Sequence, residues 1–288
     1  YVAVLRISTD KIGHHSGCSA AWLARLSGGQ EVVGSNPASP TITVMTMCGR
    51  FVGSYRVADL IEEIAEAVED LGLSLRLPDT QGYLIQNFNV APTSAIPVLV
   101  VRSGAVELEI MQWGLVPSWS QDSRVGAKMI NARAETLTQK VSFKNLVRSN
   151  RCIIPISGFY EWQRESERPK IPFYVTRRDD KMMFAAGLWT TAGVVDNGYT
   201  CAMITRDSAE DLRAIHHRSP AHFSAFHACQ WLTVALDLNE LQDASIQPLL
   251  SYREVSTDVN SVRNNRADLI VEKINPVSPH LDDHPRLF

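Results

Sequence analysis

The 288-residue chain is most easily bounded by what it does not contain. No apolar run approaches the roughly 18 residues that a membrane-spanning helix needs, which excludes a helical membrane protein, and no membrane partner is expected. No Cys-x-x-Cys pair occurs. The five cysteines, Cys18, Cys48, Cys152, Cys201 and Cys229, are odd in number and widely spaced. That argues against a zinc ribbon or a disulfide framework and fits buried, reduced thiols in a cytoplasmic protein. There is no His-Glu-x-x-His motif, so the adjacent His216 and His217 are not read as metal ligands. The chain also lacks repeats, low-complexity stretches and a βαβ cadence, which excludes solenoids and doubly wound folds.

An excess of positive charge is missing too: the formal net charge is −3, which does not advertise a nucleic-acid binder. The distribution of charge says more than the total. Between Arg124 and Arg151 stand Lys128, Arg133, Lys140, Lys144 and Arg148 against one acid, Glu135. Between Asp59 and Asp79 the balance reverses, with Glu62, Glu63, Glu66, Glu69 and Asp70 against Arg76. Such a dipolar layout fits ordinary solvated helix faces, and it also permits a local phosphate-binding face on an acidic protein.

Residues 1–46 show no sustained helical or strand period and lack the apolar centre of a signal peptide. Gly34-Ser35-Asn36-Pro37 can be spelled GGTTCGAATCCC, the T-arm consensus of a transfer RNA gene, and position 1 is Tyr. This leader is read as an upstream mis-start, with a propeptide as the alternative, and in both cases as no part of the fold. A chain starting at Met47 loses that Met to aminopeptidase, because the next residue is small, and then begins with Cys48. One domain is expected over 47–275, followed by a flexible tail at 276–288.

Within the domain, 49–55 reads as a strand. Residues 57–71 read as an amphipathic helix with Val57, Leu60, Ile61, Ile64, Val68 and Leu71 on one face. The stretches 96–101 and 106–112 read as a hairpin, and Trp113 to Trp119 as a loop. A helix is expected over 137–149, and strands at 151–156, 172–177, 182–187 and 200–205. A short helix is expected at 208–214, capped by Asp207 or Ser208. A mainly helical stretch at 228–248 and a last strand near 254–259 complete the reading. Many short strands among few helices give an α+β class with a mostly antiparallel, barrel-like twisted sheet and surrounding helices.

An N-terminal cysteine has unusual chemistry, because amine and thiol sit on adjacent carbons. An aldehyde condenses with the amine to an imine, and the thiol closes a five-membered thiazolidine. An α-amine titrates near about 7.7–8.0 and a lysine near about 10.4, so far more of the α-amine is neutral at pH 7. The thiol, near about 8.5, needs little activation. Read as an internal residue, Cys48 is instead a buried structural thiol.

Met47-Cys48-Gly49-Arg50-Phe51 resembles the opening of the SOS response-associated peptidase (SRAP) family, the abasic-site processing proteins. The resemblance continues in order through Asn89 to Thr93, Trp113 to Pro117, Ile130 to Thr136, Arg151 to Trp162, Phe184 to Trp189 and Ile215 to Pro220. It implies a protein that links covalently to abasic sites in single-stranded DNA in the DNA damage response, with a self-processing peptidase activity and no cofactor. A monomer is expected, nucleoid-associated when on DNA, with replication-fork proteins as further partners.

By the same resemblance Cys48 is the nucleophile, and Asn131 orients the cysteine and the opened sugar with a non-titrating amide. Glu161, among Phe159, Tyr160 and Trp162, shuttles protons from apolar surroundings that would raise its pKa. His216 assists ring opening, while His217 stands where many relatives carry an acid. Arg50, Arg133 and Arg218 are candidate phosphate contacts. Trp113, Pro117 and Trp119 are candidates for a stacking wedge, with core packing the alternative favoured for Trp113. Thr205 is expected as a hydroxyl near the site. A self-cleaving peptidase at Met47–Cys48 and a non-covalent DNA-binding module remain as alternatives.

Overall fold

The computed structural model describes residues 49–77, 84–163 and 169–273. The leader, Cys48 and the tail at 276–288 lie outside the described residues. In chain order the elements are β1 (Arg50–Arg56), α1 (Val57–Asp70), β2 (Ser74–Arg76), β3 (Leu84–Val90), β4 (Ala95–Arg102), β5 (Ala105–Trp113), β6 (Asn131–Arg133), α2 (Leu146–Ser149), β7 (Arg151–Ile156), β8 (Gly158–Gln163), β9 (Ile171–Arg177), β10 (Met183–Thr191), β11 (Tyr199–Asp207), α3 (Glu210–Arg213), β12 (Arg218–Pro220), β13 (His222–Phe223), α4 (Ala225–Leu232) and β14 (Leu250–Glu254).

The strands form two sheets. The larger runs β12-β11-β10-β7-β4-β5-β2, and a further parallel pairing of β11 with β5 closes β11, β10, β7, β4 and β5 into a ring. Side-chain alternation divides its two faces. Ile96, Val98, Val100, Met111, Trp113, Cys152, Ile154, Met183, Ala185, Cys201 and Met203 share one buried cluster. The residues between them, including Leu99, Leu108, Ile153, Phe184, Ala186, Leu188, Ala202 and Ile204, belong to the second, which α1 and α4 cover. The first cluster is tightly filled at Gly187, where an added Cβ would stand 2.8 Å from Cys152 Sγ. The smaller sheet, β14-β9-β8-β1-β3, is antiparallel throughout. The expected α+β class with a mostly antiparallel, barrel-like sheet is the class observed.

Helix α1 forms where its period places Val57, Leu60, Ile64, Ala67 and Val68 inward. Each burial of Val, Leu or Ile there stabilises by about 1.5–3 kcal/mol relative to exposure. The helix stops at Gly72, whose φ of 67° suits glycine, with Leu73 N–H returning to the Val68 carbonyl at 2.9 Å. The hairpin turn puts Ser103 and Gly104 at φ 49° and 75°, the primed-turn geometry that matches strand twist.

Four expectations fail in instructive ways. The helix over 137–149 is reduced to α2, with turns before it. Phe143 and Val147 are buried four residues apart, which produced the helical period without a continuous helix. The helical stretch at 228–248 is α4, which starts earlier and ends where Val234 takes φ 66°. The last strand lies earlier, at β14, where it pairs with β9, and Thr257–Asn260 is a 3-10 turn capped by the Ser256 hydroxyl. Helix α3 has Ala209 at its N-cap, which has no polar side chain to cap with, and the Asp207 carboxylate is instead held by Arg218.

Candidate active site

Glu161 sits on β8, between β1 and β9, and is only 3% exposed. Followed back toward its start, β1 pairs Phe51 with Phe159 and Arg50 with Tyr160, so the register advances toward Glu161. Strand β1 begins two residues after Cys48. From the other side comes the turn after α3. Leu212 and Ile215 anchor it in the core, and the N–H groups of Ile215 and His216 both donate to the Leu212 carbonyl. This brings His216 Nδ1 to 3.9 Å from Glu161 Oε1. Gln163, two residues along β8, donates its amide to the Ala214 carbonyl at 3.1 Å and ties strand to turn. Gln163 was not among the sequence candidates; its position on the same strand face as Glu161 is the signal that could have found it.

The His216 ring has a seat that suits either tautomer at Nδ1. Its Nδ1 lies 3.2 Å from the Arg218 N–H and 3.1 Å from the Arg218 carbonyl. As an acceptor it takes the N–H, and as a donor it finds the carbonyl. Arg218 itself is buried at the centre of a network. Its Nη1 donates to Glu135 Oε1 at 2.7 Å and Asp207 Oδ1 at 2.6 Å, and its Nη2 donates to Glu135 Oε2 at 3.0 Å and the Thr205 carbonyl at 2.8 Å. Burial acts against the guanidinium charge, but these bonds outweigh it and leave the pKa raised. The Arg218 bond holds the Asp207 carboxyl below its usual range; Glu135 is also lowered, its Arg218 contacts outweighing the opposing effect of burial. Glu135 comes from the segment that begins with Asn131. The network therefore joins the Asn131 strand to the histidine turn.

Strand β6 runs parallel to β11, pairing Asn131 with Met203 and Arg133 with Thr205, while Thr205 also faces Pro220 of β12. Asn131, Arg133, Thr205 and Arg218 thus lie on neighbouring strands at one edge of the larger sheet. Arg133 is exposed and Thr205 fully buried. Arg218, expected as a phosphate contact, is here paired with two carboxylates. Arg50 is half-buried, donating to Asn89 Oδ1 at 2.7 Å and the Val259 carbonyl at 3.0 Å. Trp113 is a core residue with no exposure; its indole N–H donates to the Ile130 carbonyl and its ring meets Phe51 edge-on at 4.9 Å. It cannot stack on a base, and neither can the buried Pro117. Trp119, 68% exposed, is the member of the expected wedge that faces solvent.

Cys152, Cys201 and Cys229 are buried free thiols, and burial pushes all three up, Cys229 to about 11. Such thiols are poor nucleophiles. Among the described residues no group of His, Cys, Asp or Glu is placed to hold a metal ion. No helix among them is long and apolar enough to cross a membrane.

These features define an α+β protein in which a buried carboxylate meets a histidine where a small antiparallel sheet abuts a closed ring of strands. Residues 47–262 match the family described as SOS response associated peptidase (SRAP), and the chain belongs to that family. It is 34% identical over 230 residues to the abasic site processing protein YoqW of Bacillus subtilis, covering 78% of this chain and 99% of that one. It is 32% identical over 262 residues to the abasic site processing protein HMCES of Gallus gallus, covering 78% and 77%. A crystal structure of a protein from Bacteroides thetaiotaomicron shares the fold with a TM-score of 0.59 at 22% identity, covering 74% of this chain and 97% of that one.

Proposed function

We propose that this chain processes abasic sites in single-stranded DNA by covalent capture, with Cys48 acting as the N-terminal residue. The observation that carries the reading is the approach of buried Glu161 to His216 beside the strand that begins two residues after Cys48. The closed sugar hides its aldehyde. Opening it moves a proton from the C1′ hydroxyl to the ring oxygen, a task for the His216 and Glu161 pair. The Cys48 amine then adds to C1′, water leaves, and the thiol adds to the imine carbon to close the thiazolidine. The net change is aldehyde plus aminothiol to thiazolidine plus water. Ring closure removes the imine, the electron sink for β-elimination, so the strand stays intact. Asn131 orients the opened sugar, Arg133 meets a phosphate, and Trp119 supplies the stacking surface. Arg218, Glu135 and Asp207 hold the histidine turn in place.

The test mixes single-stranded DNA bearing one abasic site with the chain begun at Met47 and, separately, with the chain carrying its leader. A heat-stable shifted band on a denaturing gel is expected from the Met47 start and none from Cys48→Ala. Glu161→Gln is expected to slow its appearance roughly 10²-fold, the usual weight of a proton-transfer group. A band that survives Cys48→Ala overturns the thiazolidine. Release of a leader fragment without any DNA adduct favours the self-cleaving peptidase instead. Binding without either product favours a non-covalent module.

A further inference from the structure

The segment that starts at Asn131 ends in a second basic region that the chemistry above does not use. A cavity of about 540 Å³ opens there, lined by Thr138, Lys144, Asn145, Arg148 and Arg151 over an apolar floor at Val147. Among the described residues no carboxylate lines it. Lys144 and Arg148 are exposed, whereas Arg151 is 7% exposed. The Arg151 Nε donates to the Val147 carbonyl at 2.8 Å, its Nη1 to the Leu236 carbonyl at 2.7 Å, and its face stacks 3.9 Å from the Trp231 ring centroid. Neutral carbonyls and a ring orient a guanidinium without cancelling its charge.

Other buried arginines are treated differently. Arg177 holds Asp179, Arg218 holds Glu135 and Asp207, and Arg206 lies in the field of Asp207, Asp243 and Glu135. The acid whose field reaches Arg151 is Asp237. Its carboxylate is already accepting the N–H groups of Asn239 and Glu240. Burial lowers the Arg151 pKa to about 10, so the charge persists at neutral pH. A buried cation without an ion-pair partner among the described residues is costly, and an external anion would offset that cost.

We propose that this cavity seats a backbone phosphate of the same single strand that Cys48 captures, an inference that rests on the proposed function. The ligand chemistry is a phosphate oxyanion: Arg151 supplies a fixed charge, Lys144 and Arg148 close over it, and the Thr138 hydroxyl and Asn145 amide add donors. Position selects DNA over a free anion. Thr138 follows exposed Arg133 by five residues, so even a fully extended chain separates them by no more than about 18 Å. Lys140, two residues beyond Thr138, is exposed, and the segment's only acid, Glu135, is occupied by Arg218. The uncompensated charge therefore runs from the edge beside Asn131 to the cavity.

The test measures anisotropy of a labelled, undamaged single-stranded oligonucleotide across a salt series, with the full chain and with Lys144→Ala/Arg148→Ala. Loss of two phosphate contacts is expected to reduce the slope of log affinity against log salt by about 1.4 and to weaken binding roughly tenfold at low salt. A charge-matched control, Arg76→Ala/Lys181→Ala, is expected to leave the slope in place. An unchanged slope in the Lys144/Arg148 variant overturns the proposal. So does thermal stabilisation by inorganic phosphate, at constant ionic strength, that the variant loses while its DNA slope stays the same; the cavity then holds a free anion. Cross-linking to abasic DNA is read separately. Its failure with the slope effect intact removes the Cys48 chemistry and leaves the phosphate seat standing.

Discussion

Arg151 and Arg218 are buried to nearly the same depth, 7% and 5% exposed, in opposite electrostatic settings. Arg218 is neutralised within the fold by Glu135 and Asp207, and its backbone seats the His216 ring. Arg151 is held by carbonyls and Trp231, with its charge left over. Both flank one segment, which is joined to the site at its start and turns a basic face outward at its end. Burial alone thus says little about an arginine's task. The partner does: a carboxylate makes it a brace, and its absence leaves it ready for an outside anion.

The sharpest way to break this comparison is Arg218→Lys, which keeps the charge but loses the fork that spans both carboxylates. A shifted His216 seat is expected to slow cross-linking about 10²-fold, or roughly 2.7 kcal/mol in activation free energy, with a moved pH profile of the single-turnover rate. The salt slope of DNA binding is expected to stay unchanged. An unchanged cross-linking rate and pH profile would mean that the fork across both carboxylates does not hold the His216 seat.

A smaller effect is expected from Glu135→Gln/Asp207→Asn, which leaves Arg218 buried and alone. Both carboxylates are partly exposed, so the loss is set at about 2 kcal/mol, below that of a fully buried pair. Urea denaturation reads it, and an unchanged midpoint would mean that Arg218 needs no internal counter-charge.

The smallest is a pH effect away from both arginines. Burial holds the His222 pKa below its ordinary 6.5, against the Pro220 and Pro248 carbonyls that favour the charged ring. The unfolded chain therefore takes up the proton first. His222 contributes stability in full above about 6.5, and it is lost as pH falls toward the folded pKa, by at most about 1.4 kcal/mol per pH unit. Melting temperatures from pH 7 to pH 5 are expected to fall, and His222→Gln is expected to flatten that fall. An equal fall in the variant rejects the assignment.

Much of the fold was legible where one face is wet. The helix α1 and the hairpin of β4 and β5 announce themselves through period and turn residues. Strand β8 does not, because Gly158 to Glu161 are all buried and no alternation survives. Strand β3 hides behind its polar residues, of which buried Asn89 is satisfied by the carbonyls of Val259, Ser261 and Asn264. The candidate site was legible as a set of residue types, not as an arrangement. Trp113 and Trp119 look alike six residues apart, yet one fills the core and the other faces solvent.

By itself the sequence determined the family, the α+β class, the amphipathic elements and the identity of the chemically distinctive residues. Each of these follows from local pattern or residue chemistry. Only the tertiary structure decided that Glu161 and His216 meet, that Arg218 is paired with carboxylates, and that Arg151 is buried with no carboxylate partner among the described residues. Those outcomes depend on which strands pair and which charges share a buried volume. Both are set by contacts between residues dozens of positions apart, where no local period reaches.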